Sequence, residues 1–524
     1  MSDEALLLSG GTVIDGTGGP PRRADVLIES GRIARIEPGI EQPGIPQIDV
    51  TGKIVCPGFV DIHTHSDLTV LATPLARSKI QQGVTTEIVG NCGLGVAPLV
   101  AGADIEAIRR SVSYLDLDPA VNFAWADTSG YLDAVRAARP SLNVGTLTAH
   151  IPLHAGVAGF GAEPATPEQL DRMCALLAES FAAGSFGLST GLVYPPLPFV
   201  TETELLRLAE TVAAHDRIFT WHVRDYGDQL LESVDQAVRV AERSGARTQV
   251  SHLVAVGKRN WGAVATALER IAAARADIGV DVYPYLHGNA PLSQLLPAWA
   301  TEGGPEQTVE RLSDSRIRAE IRREWQDRPV GWDEITISWL PVASELLGRT
   351  VAGIAEDSGR SGDDVVLDVL AEFGTAALMV AGGRSRQDLD AVLNHPAAVV
   401  ASDGLALDPD GSTGSGLPHP RSYGCFPRYL KEFTAAELPA AIRRCTEAPA
   451  RRMGLTDRGI LVPGAIADVV VFTPGEFADT STFADPHRFA GGLDLVLVGG
   501  TVAVRNSAHT GARSGAVITA GETA

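Results

Sequence analysis

Apolar strands that close on a chemically useful residue recur at a steady interval along the middle of this chain, and that interval constrains the fold more than any other feature. Strand-end markers are separated by 29 residues (His63 to Cys92), 33 (Ser189 to His222), 30 (His222 to His252) and 31 (His252 to Tyr283). A (β/α)8 barrel of ~250 residues has a repeat of ~31. The clearest run reads FTWHV as strand, DQLLESVDQAVRVAERSG as helix, TQVSHL as strand, NWGAVATALERIAAARAD as helix and IGVDVYPY as strand. In the first of these helices Leu230, Val234 and Val238 share one face, as an amphipathic helix requires. A doubly wound open sheet has a similar repeat, but no G-x-G-x-x-G or P-loop follows the first strand, which disfavours it.

The ends of the chain have another texture. Residues 5–56 carry short alternating strands and Gly-rich turns, and GAIADVVVF and GLDLVLVGGTVAV repeat that texture near the C-terminus. The expected organisation is an α/β fold, a TIM-like barrel over residues 58–454 with a small β-sandwich domain built from residues 1–57 and 455–524. The interval 286–355 exceeds one repeat and reads as a helical insertion, either capping the barrel mouth or decorating its periphery.

A net charge of −21 argues against nucleic acid or an anionic membrane as partner, and leaves a small molecule as the expected one. The opening MSDEALLLSGG lacks the basic and long apolar regions of a signal peptide, and five scattered cysteines do not suggest a disulfide scaffold, so a cytoplasmic location is expected. No window reaches the ~20 apolar residues of a membrane span. A homo-oligomer is compatible with the sequence, which does not set the oligomeric state.

Barrel chemistry sits where strands end and βα loops begin. His63 and His65, in PGFVDIHTHSD, put two imidazoles at the end of the first strand. Imidazole is a good ligand for zinc and its neighbours in the first transition row. Cys92 ends the next strand in GNCG, His222 and His252 end two consecutive strands, and Asp403 follows the apolar run of AVVASDG. Six ligands are too many for one tetrahedral zinc, so a two-position site with one shared ligand fits better.

These residues resemble the amidohydrolase superfamily, and within it the N-acyl-D-amino-acid deacylases, or D-aminoacylases. PGFVDIHTHSD, GNCG, GLSTGLVYPP, SHLVAVGKRNWG, DVYPY, HPAAVVASDG, HPRSYGCFPRYL and DRGILVPGAIADVVVFTP look like that family's landmarks in order. The resemblance implies zinc-dependent cleavage of an N-acyl amide. One zinc would be held tightly by Cys92, His222 and His252, and a weaker position would use His63, His65, Asp403 and the shared Cys92. Hydantoinases and dihydroorotases, a neighbouring branch, bridge two metals with a carboxylated lysine. Here Lys79 lies in a helical pattern and no lysine follows it until Lys258, so Cys92 is the available bridge.

In the implied mechanism Asp403 is the catalytic base and then the acid, and Tyr194 resembles a residue that hydrogen-bonds the oxyanion. Recognition of a substrate carboxylate departs from the family. Val254 stands where a lysine is usual, His154 where an arginine is usual, and Tyr226 where a glutamate is usual. Arg421, Tyr283 and Arg224 remain as carboxylate contacts. The alternatives are an amidase acting on amides without a free carboxylate, and a catalytically silent scaffold.

Overall fold

The computed structural model describes residues 5–342 and 344–521. Its centre is a parallel barrel of eight strands. We label them β1 (Phe59–Asp61), β2 (Val84–Val89), β3 (Asn143–Thr146, continued by Thr148–Ala149), β4 (Gly187–Gly191), β5 (Ile218–His222), β6 (Arg247–Val250), β7 (Ile278–Val282) and β8 (Ala398–Val400). Each pairs in parallel with the next in chain order. The ring closes just beyond the strand ends. Thr64 bridges to Gly404, Asp403 N–H donates to the His63 carbonyl (2.8 Å) and His65 N–H to the Gly404 carbonyl (2.9 Å). The barrel read from the 30-residue period is therefore present.

Strands such as β2, β5 and β7 are buried along their whole length, because helices cover one face and the barrel interior the other. The helices have the complementary pattern. Leu230–Ser244 buries Leu230, Val234, Ala237, Val240 and Ala241 against the barrel and turns its charged face to solvent. Pro167–Ala182 starts at a capping box in which Thr166 and Gln169 satisfy each other's backbone N–H.

The two ends of the chain meet in one nine-stranded sheet, where Ile54–Pro57 runs antiparallel to Val469–Phe472 with Cys56 opposite Val470. Leu8, Val26, Val55, Val469 and Leu497 form its core. Residues 513–520 leave that sheet and run along the start of β3, with Gly515 N–H on the Pro140 carbonyl and Ile518 N–H on the Val144 carbonyl. Gly515 is needed there, since a Cβ would strike the Leu142 carbonyl.

The insertion differs from the helical segment expected over 286–355. It runs from Gly288 to Ala381 and contains an antiparallel sheet in the order Gly288–Pro291, Leu378–Ala381, Ile335–Trp339. Four helices pack on it around Ile321, Trp325, Ile337, Val366 and Leu370. Strands of four or five residues that pair across such long separations have no local signature, which is why only the helices were legible. Asn289, Trp332, Ile335 and Met379 of this unit line the cavity at the barrel mouth, so it caps the site. No helix among the described residues is long and apolar enough to cross a membrane.

Candidate metal centre

All six expected ligand positions lie at the C-terminal end of the barrel. His222 is the last residue of β5, and the other five follow β1, β2, β6 and β8 by two to four positions. Three of them, Cys92 (φ 56°), His252 (φ 34°) and Asp403 (φ 52°), adopt the left-handed backbone region that non-glycine residues avoid. Each such turn costs about 1–3 kcal/mol and re-aims a side chain over the barrel mouth.

Two groups of donors result, each with its ligand atoms within 4.8 Å of one another. They are His63, His65, Cys92 and Asp403, and Cys92, His222 and His252, with the thiol common to both. Cys92 Sγ lies 3.2 Å from His63 Nε2 and 3.4 Å from His252 Nε2. Asp403 Oδ1 lies 2.9 Å from His65 Nε2 and 3.4 Å from His63 Nε2. All six side chains are buried.

Burial sets the charge states of His65, Cys92, His222 and His252, and neighbouring charges those of His63 and Asp403. It pushes His65 down to about 4, His222 down to about 3 and His252 well below the usual histidine range, so these rings are neutral near pH 7. It pushes the Cys92 thiol up to about 11. Burial also opposes charge on His63, but Cys92, Asp281 and Asp403 override it and lift that imidazole well above its usual range. Burial would raise Asp403 as well, yet Arg421 and His63 override it and hold the carboxyl well below the carboxylate range.

Both ring nitrogens of His222 and Nδ1 of His65 are buried with no hydrogen-bond partner among the described residues. Buried polar atoms are ordinarily satisfied, and three unpartnered nitrogens on two neutral imidazoles, each ring with one lone pair to give, suit a borderline cation such as zinc. The donor set fits the metal.

The chain belongs to the amidohydrolase family. That family's profile matches residues 47–320 and 371–504, and the unmatched gap falls inside the insertion. The chain is 33% identical to D-aminoacylase of Alcaligenes xylosoxydans xylosoxydans over 98% of its own length and 97% of that protein's. It is 35% identical to the N-acyl-D-glutamate deacylase of the same organism, over 94% of this chain and 92% of that one. Its fold superposes with a TM-score of 0.82, at 31% identity, on an N-acyl-D-glutamate deacylase from Bordetella bronchiseptica solved with zinc and a phosphonate inhibitor, covering 99% of this chain and 100% of that one. A D-hydantoinase from Thermus sp. shares the fold at 16% identity.

In this amidohydrolase Lys79 is fully buried and engaged with Asp61 (2.9 Å) and Ser402, so the lysine is no bridge. Asp281 was missed in the sequence. Its carboxylate accepts from the His252 backbone N–H (2.8 Å) and from Gln249, and lies 3.0 Å from His63 Nδ1, so it orients the His63 imidazole and pins the backbone at His252. The signal available was an acid inside the apolar strand IGVDV.

The substrate-side residues divide. Tyr194 lines the cavity with its ring edge-on to His222 at 5.0 Å between centroids, and burial holds its phenol well above the usual range, so it stays a donor. Val254 also lines the cavity. Tyr226, which lines it too, donates to the Ser251 carbonyl (3.1 Å) and packs edge-on to His222. Arg421, expected to meet a carboxylate, is buried beneath the cavity, where Nη1 grips Asp403 Oδ2 at 2.7 Å and Nη2 donates to Tyr114 Oη at 3.1 Å. Arg224 is not a free cation either. Its three nitrogens donate to Gln236 and to the Pro198 and Val200 carbonyls, bracing the loop after β4. His154 does not line the cavity at all and pairs elsewhere with Glu204. Tyr283 does line it, accepting from Arg384 Nη1 at 2.6 Å.

Proposed function

We propose that this protein is a zinc-dependent hydrolase that removes the acyl group from N-acyl amino acids, in the manner of the N-acyl-D-amino-acid deacylases it is similar to. The observation that carries the reading is one thiolate-forming residue, Cys92, shared by two buried donor groups in which both ring nitrogens of His222 and Nδ1 of His65 have no hydrogen-bond partner. Cys92, His222 and His252 would hold the tight zinc, and His63, His65 and Asp403 with the shared thiol a weaker second position.

Zinc, when bound, supplies a Lewis acid and brings the pKa of water towards ~7. The protein's own groups handle the protons and the substrate. Asp403, kept ionised by Arg421 and His63, is the catalytic base that takes the proton of the attacking water and then delivers it to the departing amine nitrogen. Asp281 fixes the His63 ring, and the Tyr194 hydroxyl donates to the oxygen on which charge develops as the amide carbonyl is attacked. Trp325, Trp332 and Val254 exclude water from the approach.

The test is turnover of N-acetyl-D-methionine by zinc-loaded protein, with metal content measured on the same sample. Release of D-methionine that follows zinc content supports the reading, and a zinc-loaded protein that cleaves no N-acyl-D-amino acid refutes it.

A further inference from the structure

The family's lysine is absent at position 254, Arg421 is locked to Asp403, and Arg224 is engaged by its own loop, which leaves the question of what would meet a substrate carboxylate. Three guanidiniums line the cavity of about 620 Å³ at the barrel mouth: Arg224, braced by its own loop, Arg328 and Arg384. Arg384 follows the last strand of the insertion sheet, in AGGRS. Its Nη1 donates to Tyr283 Oη (2.6 Å) and to the His287 carbonyl (3.1 Å). Its Nε is buried with no partner, and among the described residues nothing accepts from Nη2 and no carboxylate pairs with it.

The other charges around the cavity have partners of their own, Asp225 among them, whose carboxylate accepts from the Gly227 and Gln229 backbone N–H groups. Arg328 also has an unpartnered Nε, but it lies over the Trp332 ring at 4.2 Å, donates to the Trp325 carbonyl (2.9 Å) and has Asp363 as counter-charge at 3.8 Å. Asp228 and Asp327 both pair with Arg259, and Glu324 accepts from Trp299. A cation held away from every anion in a half-buried site is unfavourable unless a ligand supplies the counter-charge.

Two further features show a built position. Tyr283 has two cations against its ring, the Arg384 guanidinium 5.2 Å and the Arg421 guanidinium 4.6 Å from its centre. Gly288, on the neighbouring insertion strand, leaves the space the guanidinium occupies, since a Cβ there would collide with Arg384 Nη2. Nη2 is therefore the guanidinium nitrogen left to meet a ligand in the cavity, held in place by the two Nη1 hydrogen bonds and by packing against Gly288, and a charged N–H of this kind donates strongly to a carboxylate oxygen.

We infer that Arg384 is the specificity-determining cation of this chain and binds the α-carboxylate of the N-acyl amino acid, replacing by a different route the lysine that Val254 displaced. The inference rests on the deacylase reading for the identity of the ligand, but its test does not require turnover. Charge-assisted hydrogen bonds of this kind set the expected discrimination at about 10- to 150-fold.

Calorimetric binding to zinc-loaded protein compares D-methionine with D-methioninamide, which share an amine and side chain and differ in the carboxylate. Wild type is expected to favour D-methionine by that factor. Arg384→Gln, which removes the charge and keeps a polar side chain, is expected to collapse the ratio to near one, and Val254→Lys added to it to restore part of it. Gly288→Ala, which displaces the guanidinium without removing it, is expected to lower the ratio as well. Equal binding of the two ligands by wild type, or a ratio unchanged in a folded Arg384→Gln protein, overturns the inference. Failure of N-acetyl-D-methionine turnover with the binding preference intact would instead count against the deacylase reading and leave Arg384 confirmed as a carboxylate contact.

Discussion

The chain contains two buried histidine–acid groups that look alike by proximity and differ in what their nitrogens do. Around Cys92 three ring nitrogens are open. In the group formed by His150, His154 and Glu204 the ligand atoms also lie within 4.8 Å of one another, but they satisfy each other. Glu204 Oε1 lies 2.9 Å from His150 Nε2 and 2.7 Å from His154 Nδ1, and His150 Nδ1 meets Thr190 Oγ1 at 3.0 Å. Among the described residues, the one buried side-chain atom of this group without a partner is Glu204 Oε2. Closeness of ligand-type residues thus marks both a metal centre and a hydrogen-bonded strut, and unsatisfied lone pairs separate the two.

The sharpest way to break this comparison is to remove one residue from each group. Cys92→Ala is expected to lose zinc from both positions and to reduce turnover of N-acetyl-D-methionine to background, read by metal analysis and product release. Retention of a full zinc complement would put the shared thiol in doubt. Asp403→Asn comes next in size. Losing a positioned acid–base group lowers kcat by roughly 10²–10⁴-fold, while zinc on Cys92, His222 and His252 should remain. Tyr194→Phe is expected to reduce kcat by about 10²-fold or somewhat more with KM little changed, as for one oxyanion donor.

The smallest effect on catalysis is expected at the other group. Glu204→Gln should leave zinc content and turnover near wild type and lower Tm by several degrees. Its pH dependence has a definite sign. Burial raises the Glu204 carboxyl, but hydrogen bonds from His150 and His154 override it and bring it down to about 2, against about 4.3 in an unfolded chain. The stability it contributes is therefore present above about pH 4.3 and lost as pH falls towards 2. The Tm difference between wild type and Glu204→Gln should shrink across that window. A difference constant from pH 6 to pH 3, or a loss of zinc in the variant, would merge the two groups again.

The same distinction explains which parts were legible in the sequence. The barrel and the six donors follow from a period and from residue types at strand ends, both local signals. His154, by contrast, was read as a substrate contact from its place in a motif, although its ring points to Glu204, 50 positions away in the chain. Arg421 and Arg224 were recognisable as cations, but whether a cation is free depends on partners such as Asp403 and the Pro198 carbonyl, which only folding brings together. Asp281 and Arg384 carry no motif, and their roles arise from contacts with His63, His252 and Tyr283. The insertion sheet escaped for the same reason, its strands being short and far apart in the chain.

The most direct measurement is anomalous diffraction at the zinc edge from crystals grown with zinc. The expected result is a strong peak within bonding distance of Cys92 Sγ, His222 and His252, with a Zn–S separation of ~2.3 Å. A peak at His150, His154 and Glu204 in place of that one, or zinc bound without sulfur, would contradict the metal centre described for this fold.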